Sequence, residues 1–268
     1  MIDAHCHLGE PAFSASGAGE GADARAERSD SVTAWLLDAR ARGVNGHVLA
    51  GVSPAQWDRA RRLCAAHPGL WWTAGIHPAW AAGADDLENA LLCLGDVVGD
   101  SRPCAIGECG LDKRFAEPER QRWALREQLA LARQAELPVV LHIVGAHGEA
   151  IQLLTRDGLP RAGGLVHSFA GPPELAARYI ALGLHLSVGA SVVATGRRKA
   201  RLGLRTIPTE RLLVETDAPD QRPPWAPLNG TWLPELLQRV AEVRESRAEA
   251  LAIRTDATTR VVLGLDSA

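Results

Sequence analysis

Six short stretches of this 268-residue chain bring together imidazoles and carboxylates of the kind that hold cations. His5-Cys6-His7 comes first, then His77 in Gly75-Ile76-His77-Pro78 and Glu108 in Ile106-Gly107-Glu108-Cys109-Gly110-Leu111-Asp112. His142, His167 and Asp217, the last in Glu215-Thr216-Asp217-Ala218-Pro219, complete the set. Singly each is weak, since a lone histidine is more often a hydrogen-bonded structural residue than a ligand. His5-Cys6-His7 says more: a strand's period of two turns both imidazoles to one side and Cys6 to the other. Four histidines (His5, His7, His142, His167) and two acids on one rim are costly to bury unless metal ions neutralise and orient them. Two ions fit if one carboxylate bridges them. His5, His7, Glu108 and Asp217 then surround the first, and Glu108, His142 and His167 the second. Such mixed donors suit Zn, Mn, Fe or Ni, and Mg less well. Two divalent ions ~3.5–4 Å apart lower the pKa of a shared water toward ~7, giving a nucleophile for phosphorus or a carbonyl carbon. Asp217 can both ligate and take the water's proton. His77, outside the ligand set, is placed to donate to a substrate oxygen or the leaving group.

Positioning such a set requires strands whose ends share one rim. Apolar runs without alternation, at 1–6, 44–50, 70–75, 104–107, 139–142, 164–167, 185–188 and 212–215, read as strands buried on both faces of a parallel sheet. Segments of helical spacing separate them, at 32–41, 55–66, 87–97, 118–135, 146–156, 173–182 and 197–205. Two more, 233–243 and 247–263, follow the last strand. Strands alternating with helices predict an α/β fold, a TIM-like (β/α)8 barrel in a single domain over residues 1–268, and such barrels typically need ~250 residues. Six of the eight strand ends, on the face where barrels place active sites, carry a histidine or a carboxylate. An open doubly wound sheet is the alternative, but no GxGxxG follows the first strand. Residues 13–31, rich in Gly, Ala, Ser and charge, read as a flexible insertion between the first strand and the first helix.

A hydrophobic content of 46% and a net charge of −3 describe a globular chain and argue against one that coats nucleic acid or membrane. Only two of the 29 basic residues are lysine, Lys113 and Lys199, a bias read as genome composition rather than phosphate recognition. Five cysteines without a CxxC pair predict neither a disulfide framework nor a zinc knot. With no apolar run near ~20 residues and no basic-then-apolar leader, a cytoplasmic setting without membrane contact is expected.

The six stretches, with Leu141-His142 and Val166-His167-Ser168-Phe169-Ala170-Gly171, resemble in order and spacing the TatD-like metal-dependent hydrolases of the amidohydrolase group. The run Leu111-Asp112-Lys113-Arg114-Phe115 and the Gln121-Arg122 pair after it are similar to one bacterial branch. The resemblance implies a TIM-like barrel with two divalent ions (Zn, Mn, Mg, Ni or Fe) on His5, His7, Glu108, His142, His167 and Asp217. It also implies a two-metal phosphodiesterase, a deoxyribonuclease trimming single-stranded DNA ends as a 3′-exonuclease. Catalytic roles fall to Asp217, Glu108 and His77, and substrate contacts to His77, His147 and Asn229. Val144 stands where the family usually has a phosphate-facing arginine, and Leu228-Asn229-Gly230-Thr231 keeps only the asparagine of the family's Arg-Asn-Glu-Pro. Two alternatives therefore stay open: a deacylase or amidohydrolase acting on an aminoacyl-tRNA ester or small amide, and a binding or assembly component with a dormant metal site. Arg197, Arg198, Lys199, Arg201 and Arg205 read as a solvated helix face before a phosphate track, and Trp72 and Trp80 as core before a base-stacking platform. Asp112 reads either as a support for a ligand or as a turn acid.

Overall fold

A computed structural model of the chain describes residues 1–8, 22–227 and 230–265, with 22–31 as backbone alone. Eight parallel strands pair in sequence order: β1 Ile2–Cys6, β2 Gly46–Leu49, β3 Leu70–Ala74, β4 Ala105–Asp112, β5 Val139–Val144, β6 Gly164–Val166, β7 His185–Val188 and β8 Leu212–Val214. The helices between and after them are α1 Ala22–Ala41, α2 Pro54–Ala66, α3 Pro78–Gly83, α4 Leu87–Ser101, α5 Pro118–Ala135, α6 His147–Asp157, α7 Pro173–Ala181, α8 Ala190–Val193, α9 Arg198–Thr206, α10 Leu233–Val243 and α11 Ala248–Leu263. This is the TIM barrel expected from the alternation of apolar runs and helical segments. The first helix starts at Ala22 rather than at 32, so the second half of the expected flexible insertion is helical backbone. Positions 13–21 lie outside the described residues. α3 and α8, one or two turns each, have too few residues to show a helical period and were missed.

β1 and β8 meet through their ends. Asp217 N–H donates to the His5 carbonyl at 3.0 Å and His7 N–H to the Ala218 carbonyl at 2.6 Å. Asp3 accepts from the Thr216 N–H at 2.8 Å and from its hydroxyl. Burial, only partly offset by Thr216, pushes the Asp3 carboxyl up to about 7.

Buried side chains fall into two clusters. The larger packs the outward faces of the strands against the helices, where fully buried leucines such as Leu125 and Leu129 each contribute about 1.5–3 kcal/mol. The smaller joins Ile2, Ala4, Val48, Ala105, Val140, Leu165 and Leu213, from six strands, with Val262, Leu263 and Leu265 at the end of the chain. Side chains from six strands of a barrel can share one cluster only in its interior, so α11 plugs the end opposite the strand termini.

Two strands break the alternation. The β1–β2 register slips between Asp3 and Cys6, and the β4–β5 register between Ile106 and Cys109. At each slip an extra residue turns inward: Ala4 and the adjacent His5 both face the interior, as do Ala105 and Glu108, three positions apart. Bulges of this kind re-aim side chains beside functional sites. Glu108 consequently lies inside β4 and not at its end as expected, because pairing with β5 continues through Asp112↔Val144.

α5 holds the site in place. Its buried face carries Gln121, Ala124, Leu125, Gln128, Leu129 and Ala132, and Pro118 begins it. The two glutamines on this apolar stripe grip strand ends. Gln128 accepts from Ile76 N–H at 2.7 Å and donates to the Ile76 carbonyl at 3.1 Å. Gln121 accepts from Asp112 N–H at 2.8 Å and donates to the carbonyls of Asp112, Phe115 and Ala116 at 2.9–3.3 Å.

Candidate metal centre

Glu108 is the hub of the strand-end cluster, 2% exposed. Its Oε1 lies 3.2 Å from His5 Nε2 and 3.2 Å from His7 Nε2. Asp217 Oδ1 closes that group, 3.2 Å from His7 Nε2 and 3.7 Å from His5 Nε2. Oε2 of the same carboxylate turns the other way, 3.2 Å from His142 Nδ1 and 3.0 Å from His167 Nε2. His77 Nε2 stands farther off, 4.0 Å from Oε2. All six residues expected from the sequence to be ligands converge at this rim. They divide between the two oxygens of Glu108 along the same line as the sequence division.

Two of the imidazoles, His142 and His167, are held from behind. His142 turns its Nε2 to Asp112 Oδ2 at 3.0 Å, and Asp112 is fixed by Arg114, whose N–H and Nε lie 2.9 and 3.0 Å from Oδ1. His167 sets its Nδ1 3.3 Å from Glu215 Oε1, which also accepts from the Ser168 N–H at 2.6 Å. The ring nitrogens left facing Glu108 are thereby selected, the role that outer partners of metal-binding histidines perform. Nothing in the sequence singles out Glu215 as this support, since it stands there only as the first residue of the Glu215-to-Pro219 stretch. Asp217 adopts a left-handed backbone conformation (φ 57°), one that the short carboxylate side chain tolerates better than most. Gln221 hydrogen-bonds its Oδ2.

Opposite charges face one another within the cluster. Burial by itself raises the carboxyls of Glu108 and Asp217, but the surrounding histidines outweigh it and hold both well below the usual carboxylate range. His7 and His167 show the converse: burial lowers them, yet the facing carboxylates carry both upward. Burial and the neighbouring His142 instead push His77 down to about 3, so it stands neutral at physiological pH. His5 Nε2, Glu108 Oε1 and Asp217 Oδ1 are buried and face one another without a hydrogen bond among them. Buried polar atoms seldom go unpartnered. These three atoms, brought together from β1, β4 and the segment after β8 without bonding one another, fit a divalent ion between them, and the nitrogen and oxygen donors suit first-row metals.

His147 lies elsewhere, its Nδ1 2.9 Å from the Tyr179 hydroxyl between α6 and α7, and it makes no contact with the cluster among the described residues. Asn229 lies outside the described residues. Cys6 points away from the rim as period two requires, its Sγ 3.6 Å from the Val48 carbonyl, and all five cysteines are free. Trp72 is core, and Arg198, Lys199, Arg201 and Arg205 lie on α9. Among the described residues no helix is long and apolar enough to cross a membrane.

The model of the TatD related DNase family matches residues 2–264. The 3′-5′ ssDNA/RNA exonuclease TatD of Citrobacter rodentium is 35% identical over 243 residues, 85% of this chain and 89% of that protein. The protein of the same name from Cronobacter sakazakii is 37% identical over 234 residues, 83% of this chain and 88% of its own. Among solved structures, the TatD homologue YjjV from Escherichia coli K12 superposes with a TM-score of 0.84 at 27% identity, covering 99% of this chain and 98% of that one. An organophosphorus hydrolase from Deinococcus radiodurans shares the fold at a TM-score of 0.64 and 16% identity, over 98% of this chain and 91% of its own.

Proposed function

Because the chain belongs to the TatD related DNase family of metal-dependent hydrolases, we propose that it trims single-stranded nucleic-acid ends in the 3′-to-5′ direction with two divalent ions at the strand-end rim. One observation carries this reading: the two oxygens of buried Glu108 each face a different pair of histidines at 3.0–3.2 Å. His5, His7, Glu108 and Asp217 form one donor group, and Glu108, His142 and His167 the other. Divalent ions in those positions would polarise a phosphoryl oxygen and lower the pKa of water.

The chain's own groups divide the remaining work. Asp217, ionised and at the edge of the cluster, accepts the proton of the attacking water at Oδ1. Neutral His77 uses Nε2, the nitrogen nearer Glu108, to hydrogen-bond a phosphoryl or leaving oxygen, while its Nδ1 accepts from the Ala79 N–H at 3.0 Å and fixes the tautomer. The arginine replaced by Val144 is compensated from the next strand. Val144 pairs in register with Asp112, so exposed Lys113 follows directly beside it as a cation for a substrate phosphate.

The test is digestion of end-labelled single-stranded DNA and RNA by purified protein reconstituted with Mg, Mn, Co or Zn. The expected result is a ladder shortening from the 3′ end, lost in Glu108→Gln and Asp217→Asn. Oligonucleotides left intact under every metal would overturn the reading, and cleavage of an aminoacyl-tRNA ester by that same protein would move the chemistry to a carbonyl.

A further inference from the structure

Beside the metal-ligand cluster stands an aromatic ring that no step above uses. Phe115 is 38% exposed. Other exposed apolar side chains, such as Leu92, Ile253 and Val261, lie on the outer helices α4 and α11, whereas Phe115 sits on the loop leaving β4. Its ring meets His77 edge-on at 6.2 Å between centroids, and His77 in turn reaches to 4.0 Å from Glu108 Oε2.

The loop that presents the ring is tightly fastened. Phe115 N–H donates to the Asp112 carbonyl at 3.2 Å, and Gln121 binds the Phe115 and Ala116 carbonyls from α5. Arg114, locked to Asp112, lays its guanidinium carbon over the ring 5.8 Å from the centroid, within cation–π range. Exposing an apolar ring on a fixed loop sacrifices burial, and a rigid ring loses little further entropy when a flat partner stacks on it. In a nucleotide whose phosphodiester lies at Glu108, the base is one sugar away, and His77 bridges that gap, its ring 6.2 Å from that of Phe115 and its Nε2 4.0 Å from Glu108 Oε2.

Resting on the nucleic-acid reading above, we propose that Phe115 is the stacking platform for the unpaired 3′-terminal base of the substrate, with Arg114 backing the ring. Every base has a π-face, so the platform tolerates sequence and selects against paired ends. Base–aromatic stacking of ordinary strength predicts that Phe115→Ala raises KM for a single-stranded oligonucleotide about 5- to 150-fold while kcat stays near wild type.

A two-by-two comparison tests this: wild type and Phe115→Ala, each with an oligonucleotide ending in a normal or an abasic nucleotide. In wild type, removing the base should raise KM as much as removing the ring does, and the variant should lose nothing more on the abasic end. Phe115→Trp should restore the wild-type KM. Binding is read separately from cleavage with a 3′-terminal 2-aminopurine, whose fluorescence wild type should quench and Phe115→Ala should not, in the presence of chelator. An equal loss on normal and abasic ends, or unchanged KM and quenching in Phe115→Ala, overturns the stacking proposal and leaves the nuclease reading standing. Wild type that neither cleaves nor binds the oligonucleotide overturns both.

Discussion

Replacing Gly110 by alanine tests whether the site depends on how closely β4 approaches β5. A Cβ at this position would fall 1.8 Å from the His142 carbonyl oxygen and 2.7 Å from the carbonyl carbon, both backbone atoms that no rotamer change can move aside. Clearing even 3.0 Å requires the strands to part by at least 1.2 Å, and φ at Gly110 is +156°, which side chains rarely adopt. Overpacking of this kind costs about 1–3 kcal/mol, and holding a residue with a Cβ in that backbone region about as much again. Together they consume a large share of the roughly 5–15 kcal/mol that holds a typical domain folded. The parting also carries His142 away from Glu108 Oε2, now 3.2 Å distant. A displacement near 1 Å at a catalytic constellation lowers turnover on the order of 10²-fold. Urea unfolding gives the stability, calorimetric titration with a divalent metal gives the site, and oligonucleotide digestion gives the activity. Gly99→Ala on α4 is the control: nothing lies within 4 Å of the added methyl, so it should stabilise by about 0.5–1 kcal/mol. The reasoning is refuted if Gly110→Ala unfolds within about 0.5 kcal/mol of wild type and digests DNA at the wild-type rate.

His47, 2% exposed on β2, is driven down to about 4 by burial, the N-terminal ammonium and Arg40. Unfolding returns it to 6.5, so the unfolded chain binds the extra proton between those values. Its contribution is therefore present above pH 6.5 and lost as pH falls toward 4, about 3 kcal/mol in all. Urea midpoints at pH 7.5 and 4.5 should fall less steeply in His47→Leu than in wild type; parallel slopes would remove His47 as the cause. Asp112→Asn keeps the shape beside His142 and removes the charge, so calorimetry should show divalent-metal affinity weakened about 10- to 100-fold; unchanged affinity would make Asp112 a turn residue only. Stripping the protein with chelator should lower its melting temperature, and readdition of metal should raise it with concentration as mass action requires. A melting temperature indifferent to metal would count against a folded-state cation site.

The residues of the cluster were readable from the sequence because a barrel imposes one rule on them. Chemistry gathers where strands end, and His5, His7, His142, His167 and Asp217 each stand within three residues of a strand's C-terminal end, although β5 runs two residues past His142, farther than the sequence suggested. What could not be read was the local geometry that departs from the strand period. β1 and β4 each carry one inward residue too many, and those extra residues bring His5 and Glu108 into the interior. Alternation counted from Ala105 would send Glu108 toward the helices, beside the outward-facing Ile106 and Cys109. Nor does period or composition mark Gln121 and Gln128, two amides on a helical stripe that otherwise reads as core. Their partners are main-chain groups, Ile76 for Gln128 and Asp112, Phe115 and Ala116 for Gln121, visible only once α5 packs across the ends of β3 and β4. The same limit applies to Arg114 and Phe115, which read as loop residues until Asp112 is seen to hold one and His77 to touch the other. Identity of the clustered side chains is thus a property of strand ends, while their aim comes from bulges and buried amides that no periodicity announces. A substitution at Gln121 or Gln128, remote from any metal ligand, should consequently disturb the rim as surely as a change within it.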